Sequence, residues 1–447
     1  MAIKKIIRTI TPESFISAYH CSLAFLAALW YRFPSESMVV IGITGTKGKS
    51  STIFMLAKIL EGAGLKVGVS SSIMFKINEN EWLNPYHMTM AGRFRLQQFL
   101  YQAKTAGCTH VLIETTSEGI KQHRHRFINF DVAVFTNLSP EHIEAHGGFE
   151  NYKRAKGKLF EALSRTKQKT LNGKKIEKIA VVNTDNEHAA YFMEFHADKT
   201  YGFGIRGMCA LPAEGRHVCA EASGVVASAD GVSFTLEKVP FRLRVLGEFN
   251  AVNAVCASVT AYSIGIPYAA ARTALEKIEE IPGRMKFIKE GQKFIAIIDF
   301  AHTPGSFEQV FAAVRTLKDP KGRIIAVFGS AGGGRDVWKR PELGAIAAKN
   351  ADIIFLTADD PYQESVEAIC DDIKKGITAL PFRGKLEVIP DRRMAIKAAM
   401  EAARWNDIVL FIGKGTEQTI AIGDEKLPWN EEEIVIQELR NMLYDRT

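Results

Sequence analysis

Met38-Val-Val-Ile-Gly-Ile-Thr-Gly45-Thr-Lys-Gly48-Lys49-Ser50-Ser51 is the stretch whose reading decides the fold. Met38 to Ile43 is a short apolar run rich in β-branched residues, as a buried strand requires. A glycine-rich turn follows, and a helical pattern runs from about Ser50 to Gly62. Where a strand feeds a helix through such a turn, backbone N–H groups and the helix N-terminus can hold phosphate. Lys49 can reach the β- and γ-phosphates, and the Ser50 hydroxyl can ligate Mg²⁺. The general pattern Gly-x-x-x-x-Gly-Lys-Ser has Ile43 at its first position here, with glycines at 42, 45 and 48 instead. A glycine turn without a ligand is the plain alternative; the strand, the helix and the Gly-Lys-Ser end all in register weigh against it.

Outward from this turn, Val67 to Ser70, Thr109 to Ile113 and Asp131 to Phe135 read as strands, and Phe94 to Thr105 as a helix. The alternation predicts an α/β fold with a parallel sheet covered by helices. Glu114 closes one of these strands, where an acid can act on a nucleotide's metal. Residues 225–245 alternate around Asp230-Gly231 and predict an antiparallel flap; Asn250 to Ile264 predicts an Ala-rich helix. After Pro282-Gly283 a second α/β series begins, with strands at Phe294 to Ile298, Ile324 to Phe328, Ile353 to Leu356 and Ile408 to Ile412. The expected organisation is an apolar helical segment (1–37), a central ATP-binding domain (38–282) and a C-terminal Rossmann-like domain (283–447).

The length of 447 residues allows about three domains. With 47% hydrophobic and 24% charged residues the composition excludes a disordered or low-complexity chain. The net charge of +7 is spread thinly, which suits anionic small substrates and gives no basic arm for nucleic acid. The six cysteines form no C-x-x-C pair and read as scattered reduced thiols of a cytoplasmic protein. Phe15 to Phe33 approaches the length of a membrane span but is interrupted by Ser17, His20 and Ser22. It is expected to be a buried or docking helix, with peripheral membrane contact as the alternative.

Further segments read together: Glu114-Thr-Thr-Ser-Glu-Gly-Ile-Lys-Gln-His-Arg124, Phe135-Thr-Asn-Leu-Ser-Pro-Glu-His142, His146-Gly-Gly-Phe-Glu-Asn-Tyr-Lys-Arg-Ala-Lys156, Gly247-Glu-Phe-Asn250-Ala-Val-Asn253, Pro282-Gly-Arg284, Asp299-Phe-Ala-His302-Thr-Pro304 and Gly413-Lys-Gly-Thr-Glu417. From about Val39 to the C-terminus this set resembles the Mur ligases, most closely their MurE branch of tripeptide synthetases. The resemblance implies a central P-loop ATPase domain, a C-terminal Rossmann-like domain, and an ATP-dependent ligase that joins an amino acid to a carboxylate of a muropeptide precursor through an acyl phosphate. It implies ATP and two Mg²⁺ sites, with Lys49, Glu114, His142 and Lys156 catalytic, Ser50, Glu114, His142 and Lys156 on metal, and Lys156 carbamylated. Gly45, Thr46, Lys47, Gly48, Lys49, Ser50, Ser51, Asn137, Asn250, Asn253, Arg284, Asp299 and His302 would then hold nucleotide. Thr89, Arg93, Thr116, Ser117, His123 and Arg124 would face the acceptor, and Asp359, Asp360, Pro361, Tyr362, Gly413 and Glu417 the added amino acid.

Three departures shape this expectation. Only residues 1–37 precede the first strand, so the N-terminal domain that grips the UDP-sugar in MurE proteins is expected to be missing or replaced by the apolar helix, which leaves room for a smaller or lipid-linked acceptor. Asp359-Asp360-Pro361-Tyr362 stands where diaminopimelate-adding relatives carry Asp-Asn-Pro-Arg, and Gly413-Lys-Gly-Thr416-Glu417 where they carry Gly-Lys-Gly-His-Glu. The added amino acid is therefore open. A folylpolyglutamate synthase-like ligase and a non-catalytic nucleotide-binding scaffold are the alternatives.

Overall fold

The computed structural model describes residues 12–84, 88–141, 143–207, 209, 217–334 and 336–444. In chain order the first strands are β1 (Val39–Thr44), β2 (Val67–Ser70), β3 (Met74–Ile77), β4 (Asn80–Leu83), β5 (His110–Glu114), β6 (Val132–Phe135), the hairpin β7 (Thr170–Leu171) and β8 (Lys174–Lys175), β9 (Ile179–Asn183), β10 (Lys199–Gly204), β11 (His217–Ser228), β12 (Gly231–Leu236) and β13 (Val239–Leu243). All but the hairpin form an eleven-stranded sheet in the order β13-β12-β11-β10-β9-β6-β1-β5-β2-β3-β4. The run from β11 to β2 is parallel, and both ends turn antiparallel. Parallel strands buried on both faces need continuous apolar runs, and β1, β6 and β9 are buried throughout. Helices Lys49–Gly62 and Glu248–Ser263 cover one face, and Arg93–Thr105 and Phe149–Arg165 the other.

The second sheet is built from β14 (Lys286–Ile288), β15 (Ile295–Asp299), β16 (Ile324–Phe328), β17 (Ile353–Leu356), β18 (Lys385–Val388) and β19 (Ile408–Ile412), in the order β14-β15-β19-β16-β17-β18. It is parallel apart from β14. A hairpin, β20 (Thr419–Ile422) and β21 (Glu425–Pro428), follows. The chain thus has the expected α/β architecture, with two parallel-rich sheets.

Three expectations change in detail. Within the region expected as a flap (225–245) the strands pair antiparallel, but they are no separate flap: β11 starts upstream, and its residues 217–221 run parallel to β10 and carry the main sheet outward. Alternation alone could not reveal that one strand serves two partners. Cys209 and Cys219 are joined in a disulfide, against the expectation of scattered thiols; a ten-residue separation gives no motif, and the β10–β11 crossover brings them together. The apolar segment forms a helix, Glu13–Trp30, and no described helix is long and apolar enough to cross a membrane.

The centre of the first sheet is pinned by a buried charge cluster. Asp131, fully buried before β6, accepts from the Val40 amide (2.9 Å), Lys169 Nζ (2.6 Å) and Lys178 Nζ (3.1 Å). The same lysines donate to the Met38 and Phe130 carbonyls. Burial lowers the Lys169 ammonium to about 8 even beside this carboxylate. Removing one partner of such a set strands the others in a dry interior. Asp131→Ala is expected to cost ~3–5 kcal/mol in urea unfolding; a loss within ~0.5 kcal/mol, as at a surface site, would contradict this reading.

Candidate active site

The carboxyl ends of β1, β5 and β6 meet at one place, as ligand sites do in doubly wound sheets. The turn after β1 curls there because neighbouring strands hold it. The Thr46 amide donates to the Asn137 carbonyl (2.8 Å) and the Lys47 amide to Asn137 Oδ1 (2.9 Å). Thr136 Oγ1 and Asn137 Nδ2 both donate to the Lys47 carbonyl. Gly48 adopts φ 77°, and a Cβ there would lie 2.3 Å from Asn253 Oδ1. Only glycine meets both conditions.

Ser50 Oγ lies 3.0 Å from both Glu114 carboxylate oxygens and 2.6 Å from Ser72 Oγ, while the Ser72 amide donates to Glu114 Oε2. Converging hydroxyl and carboxylate oxygens at the start of a helix are the hard donors Mg²⁺ prefers, so these residues fit that ion. Lys49 Nζ donates to the Thr46 carbonyl (2.8 Å). Lys156 comes from the opposite side. Its Nζ donates to the Gly45 carbonyl (2.6 Å) and sits 4.4 Å from the centre of the Tyr152 ring. Complete burial, reinforced by the Lys49 charge, holds this amine well below its ordinary pKa, and Glu141 and Glu114 oppose the shift only in part. Burial thus disfavours the charged form of Lys156.

The second sheet supplies the other wall. One cavity is lined by Thr46 to Ser51, Ser72, Thr89, Glu114, Thr116, Ser117, Glu141, Lys156 and Asn253 from the first sheet's side, and by Arg284, Asp299 to Thr303 and Ser306 from the second. Asp299 accepts from the Met285 and Ala301 amides (2.8 and 2.7 Å), which fixes the turn carrying His302; burial raises its pKa against the pull of Arg284. Arg284 lies over the Phe300 ring at 4.5 Å, and burial lowers its pKa. His302 Nδ1 donates to the Phe300 carbonyl (2.9 Å), and its Nε2 is 3.6 Å from Glu141. The Lys47 ammonium reaches the first turn of helix Pro304–Arg315: a Cβ on Gly305 would fall 2.0 Å from its Nζ. A half-desolvated cation against the positive end of a helix is poised for a polyanion, and burial indeed lowers the Lys47 pKa.

Other predicted residues fall around this core. Asn250 does not face the cavity; its Nδ2 donates to the Leu246 carbonyl and its Oδ1 accepts from Asn253, so it orients the residue that does. Thr116 caps helix Ser117–Lys121. Arg93 donates to the Gln122 carbonyl, and Arg124 to the Met90 carbonyl and Gln122 Oε1, so the pair braces the Thr89–Met90 turn. His123 Nε2 bonds Ser17 Oγ (2.7 Å), away from the cavity. His142 lies outside the described residues. Asp359, Asp360 and Glu417 gather around Lys414 at 3.7, 2.9 and 2.6 Å. Burial would lower the Lys414 pKa, but the three carboxylates hold it above its usual value; burial raises Glu417. Gly413 donates to the Asp299 carbonyl, which ties this cluster to the cavity wall. Tyr362, with φ 51°, follows Pro361 and pairs with the β20–β21 hairpin. Glu141, Ser72 and Tyr152 were not singled out from the sequence; Glu141 and Tyr152 stand inside quoted motifs, and Ser72 follows a strand's carboxyl end.

Two family descriptions match: Mur ligase middle domain over residues 43–261, and Mur ligase, glutamate ligase domain over 283–415. The chain belongs to the Mur ligase family. Its members are ATP-dependent ligases that form amide bonds. The chain is 38% identical to a UDP-N-acetylmuramyl-tripeptide synthetase of Roseiflexus sp. (strain RS-1), over 92% of this chain and 80% of that one. It is 36% identical to a protein of the same name from Treponema denticola, over 92% and 78%. A solved UDP-N-acetylmuramoyl-L-alanyl-D-glutamate–2,6-diaminopimelate ligase superposes with TM-score 0.59 at 28% identity, covering 91% of this chain and 79% of that one. Escherichia coli FolC with DHPP and ADP superposes with TM-score 0.67 at 18% identity, covering 98% and 99%, which shows a shared fold.

Gly48→Ala forces a side chain into left-handed backbone and against Asn253. It is expected to weaken ATP binding by about tenfold or more, ~1.4 kcal/mol, in titration calorimetry, with the far-ultraviolet circular dichroism unchanged. Unaltered ATP affinity would remove the turn from the nucleotide site.

Proposed function

We propose that this Mur ligase is a MurE-type amino-acid ligase of the cytoplasm, acting on a muropeptide acceptor in peptidoglycan synthesis. The observation that carries this reading is the interlobe cavity where the phosphate turn, the Ser50–Glu114 oxygens and Lys156 face Arg284 and His302. In the proposed sequence an acceptor carboxylate oxygen attacks the γ-phosphorus, and the bond to ADP breaks. The amine of the incoming amino acid then attacks the acyl carbon, the amide bond forms, and phosphate leaves with loss of a proton. Lys47 and Lys49 counter the charge that gathers between carboxylate and triphosphate. Ser50 and Glu114 would hold Mg²⁺, which supplies further charge stabilisation. Closure of the two lobes excludes water from the acyl phosphate.

Carbamylation of Lys156 belongs to the same proposal. A neutral amine attacks CO₂, a C–N bond forms, and the proton is lost to solvent, leaving an anionic carbamate. The burial that lowers the Lys156 pKa eases loss of the proton that this step requires. The result is a second acidic group near Glu114 for metal. Residues 38–282 and 283–447 are the proposed catalytic domains.

The amino-acid end is acidic. Asp359, Asp360 and Glu417 offer three carboxylates against one Lys414. The nearby Arg392 is saturated by Glu431 and by the Ala358 and Ile412 carbonyls. With Tyr362 in place of arginine, no free guanidinium stands there for a distal carboxylate among the described residues. This favours a diamino acid without one, lysine before diaminopimelate.

ADP release from ATP is expected only when UDP-MurNAc-L-Ala-D-Glu, or a smaller muropeptide, and a diamino acid are both present, with a product mass that carries the added residue. No amino-acid-dependent release from any muropeptide would leave the scaffold reading, and release with a folate acceptor the folylpolyglutamate one. Lys156→Ala is expected to lower kcat by roughly a thousandfold, with partial recovery in short carboxylates such as formate. Full activity of that variant would refute the carbamate role.

A further inference from the structure

The helix Glu13–Trp30 is packed the wrong way round for an ordinary surface helix. It buries its small residues: Ala24, Ala27 and Ala28 are at most 2% exposed. Its large apolar residues point outward: Phe15 is 69% exposed, Tyr19 61%, Leu26 51%, Leu29 52% and Trp30 77%. These positions follow the spacing i, i+4, i+11, i+14, i+15, which places them on one face of a 3.6-residue helix. Between Ser14 and Tyr31 there is no charged residue. A helix apolar all round is normally buried all round, and an exposed apolar ridge of this kind marks a docking surface.

The ridge is held rigidly. Ser17 bonds His123, Phe25 packs edge-on against Phe127 at 5.3 Å, and Tyr31 lies 5.8 Å from Tyr101 of helix Arg93–Thr105. Basic residues flank it on both sides. Lys104 and Arg32 are exposed toward the Tyr101 side, and Arg126 and Lys158 toward the His123 side. The nearest acids there are engaged: Glu36 by Asn129, and Glu161 by Arg165. Trp30, Tyr19 and Tyr31 are the side chains that settle at the level of lipid headgroups.

We propose that this ridge docks the enzyme on an anionic lipid bilayer, with Phe15, Tyr19, Leu26, Leu29 and Trp30 entering the headgroup–acyl boundary and the flanking lysines and arginines meeting lipid phosphates. The helix lies in the membrane surface and does not cross it, which agrees with its hydropathy. An apolar ridge with basic flanks matches an anionic membrane in both shape and charge, whereas a second copy would bring the same positive flanks face to face. The docking stands apart from the ligase site and holds whatever amino acid is added.

The test is co-sedimentation of the full chain with vesicles of phosphatidylcholine alone and of equal parts phosphatidylcholine and phosphatidylglycerol. The chain is expected to bind the anionic vesicles, and to release as salt rises. The double variant L26E/L29E, on exposed positions, is expected to reduce binding at least tenfold with nucleotide affinity unchanged. Replacing Lys104, Arg126 and Lys158 with Ser should weaken it by roughly a hundredfold. Brominated lipid should quench Trp30, read as the emission difference between the wild type and W30F, which keeps the test independent of the charged variants. No binding to anionic vesicles, binding untouched by L26E/L29E, or a soluble dimer that L26E/L29E disperses would each overturn the proposal; the last would give the ridge to a second copy.

Discussion

Closure of the second lobe over the phosphate turn is the constraint on which the rest of this structure depends. Lys47 crosses from the turn to the first residues of helix Pro304–Arg315, where a Cβ on Gly305 would meet its ammonium. His302 stands 3.6 Å from Glu141 across the same gap, and Arg284 is pressed on Phe300. These contacts set like charges against one another: Lys47, Lys49, Arg284 and a helix N-terminus. Such an arrangement is costly by itself and becomes favourable around a polyanion. The two sheets therefore supply complementary halves of one electrostatic cage, and neither half is a site alone.

The first sheet earns its rigidity well below the cavity. The Asp131–Lys169–Lys178 cluster ties β1 to β6 at the opposite end of the strands, so the turn after Thr44 and the acid at Glu114 are delivered in fixed register, Ile43 facing Glu114. In that register the Ser50 hydroxyl donates to the Glu114 carboxylate at 3.0 Å. In the second lobe Asp299 plays the matching part, since one oxygen holds the Met285 amide and the other the Ala301 amide at the start of the His302 turn.

Much of this was legible in the sequence, because the central strands of the parallel runs are short, continuous apolar stretches, whereas β10 and β18, with polar and glycine residues among the apolar ones, give no such signal. Val67–Ser70, Ile324–Phe328, Ile353–Leu356 and Ile408–Ile412 lie where those runs stand. The phosphate turn, Glu114 and Lys156 were legible as motifs. What escaped depends on distance in space. Ser72 and Tyr152 acquire their roles only when the sheet carries them to Ser50 and Lys156. Asn250 and Asn253 share a helix face, but only the packing of Leu246 shows that the first orients the second. The Cys209–Cys219 bond and the continuation of β11 from β10 are consequences of one crossover that no local pattern announces.

The central claim is that the cage exists to phosphorylate a carboxylate so that nitrogen can capture it. The most direct measurement uses an acceptor whose reacting carboxylate carries ¹⁸O, with mass analysis of the phosphate released in a complete turnover. Activation through an acyl phosphate predicts one ¹⁸O atom in each phosphate. Phosphate free of label, formed while the amide product accumulates, would contradict it.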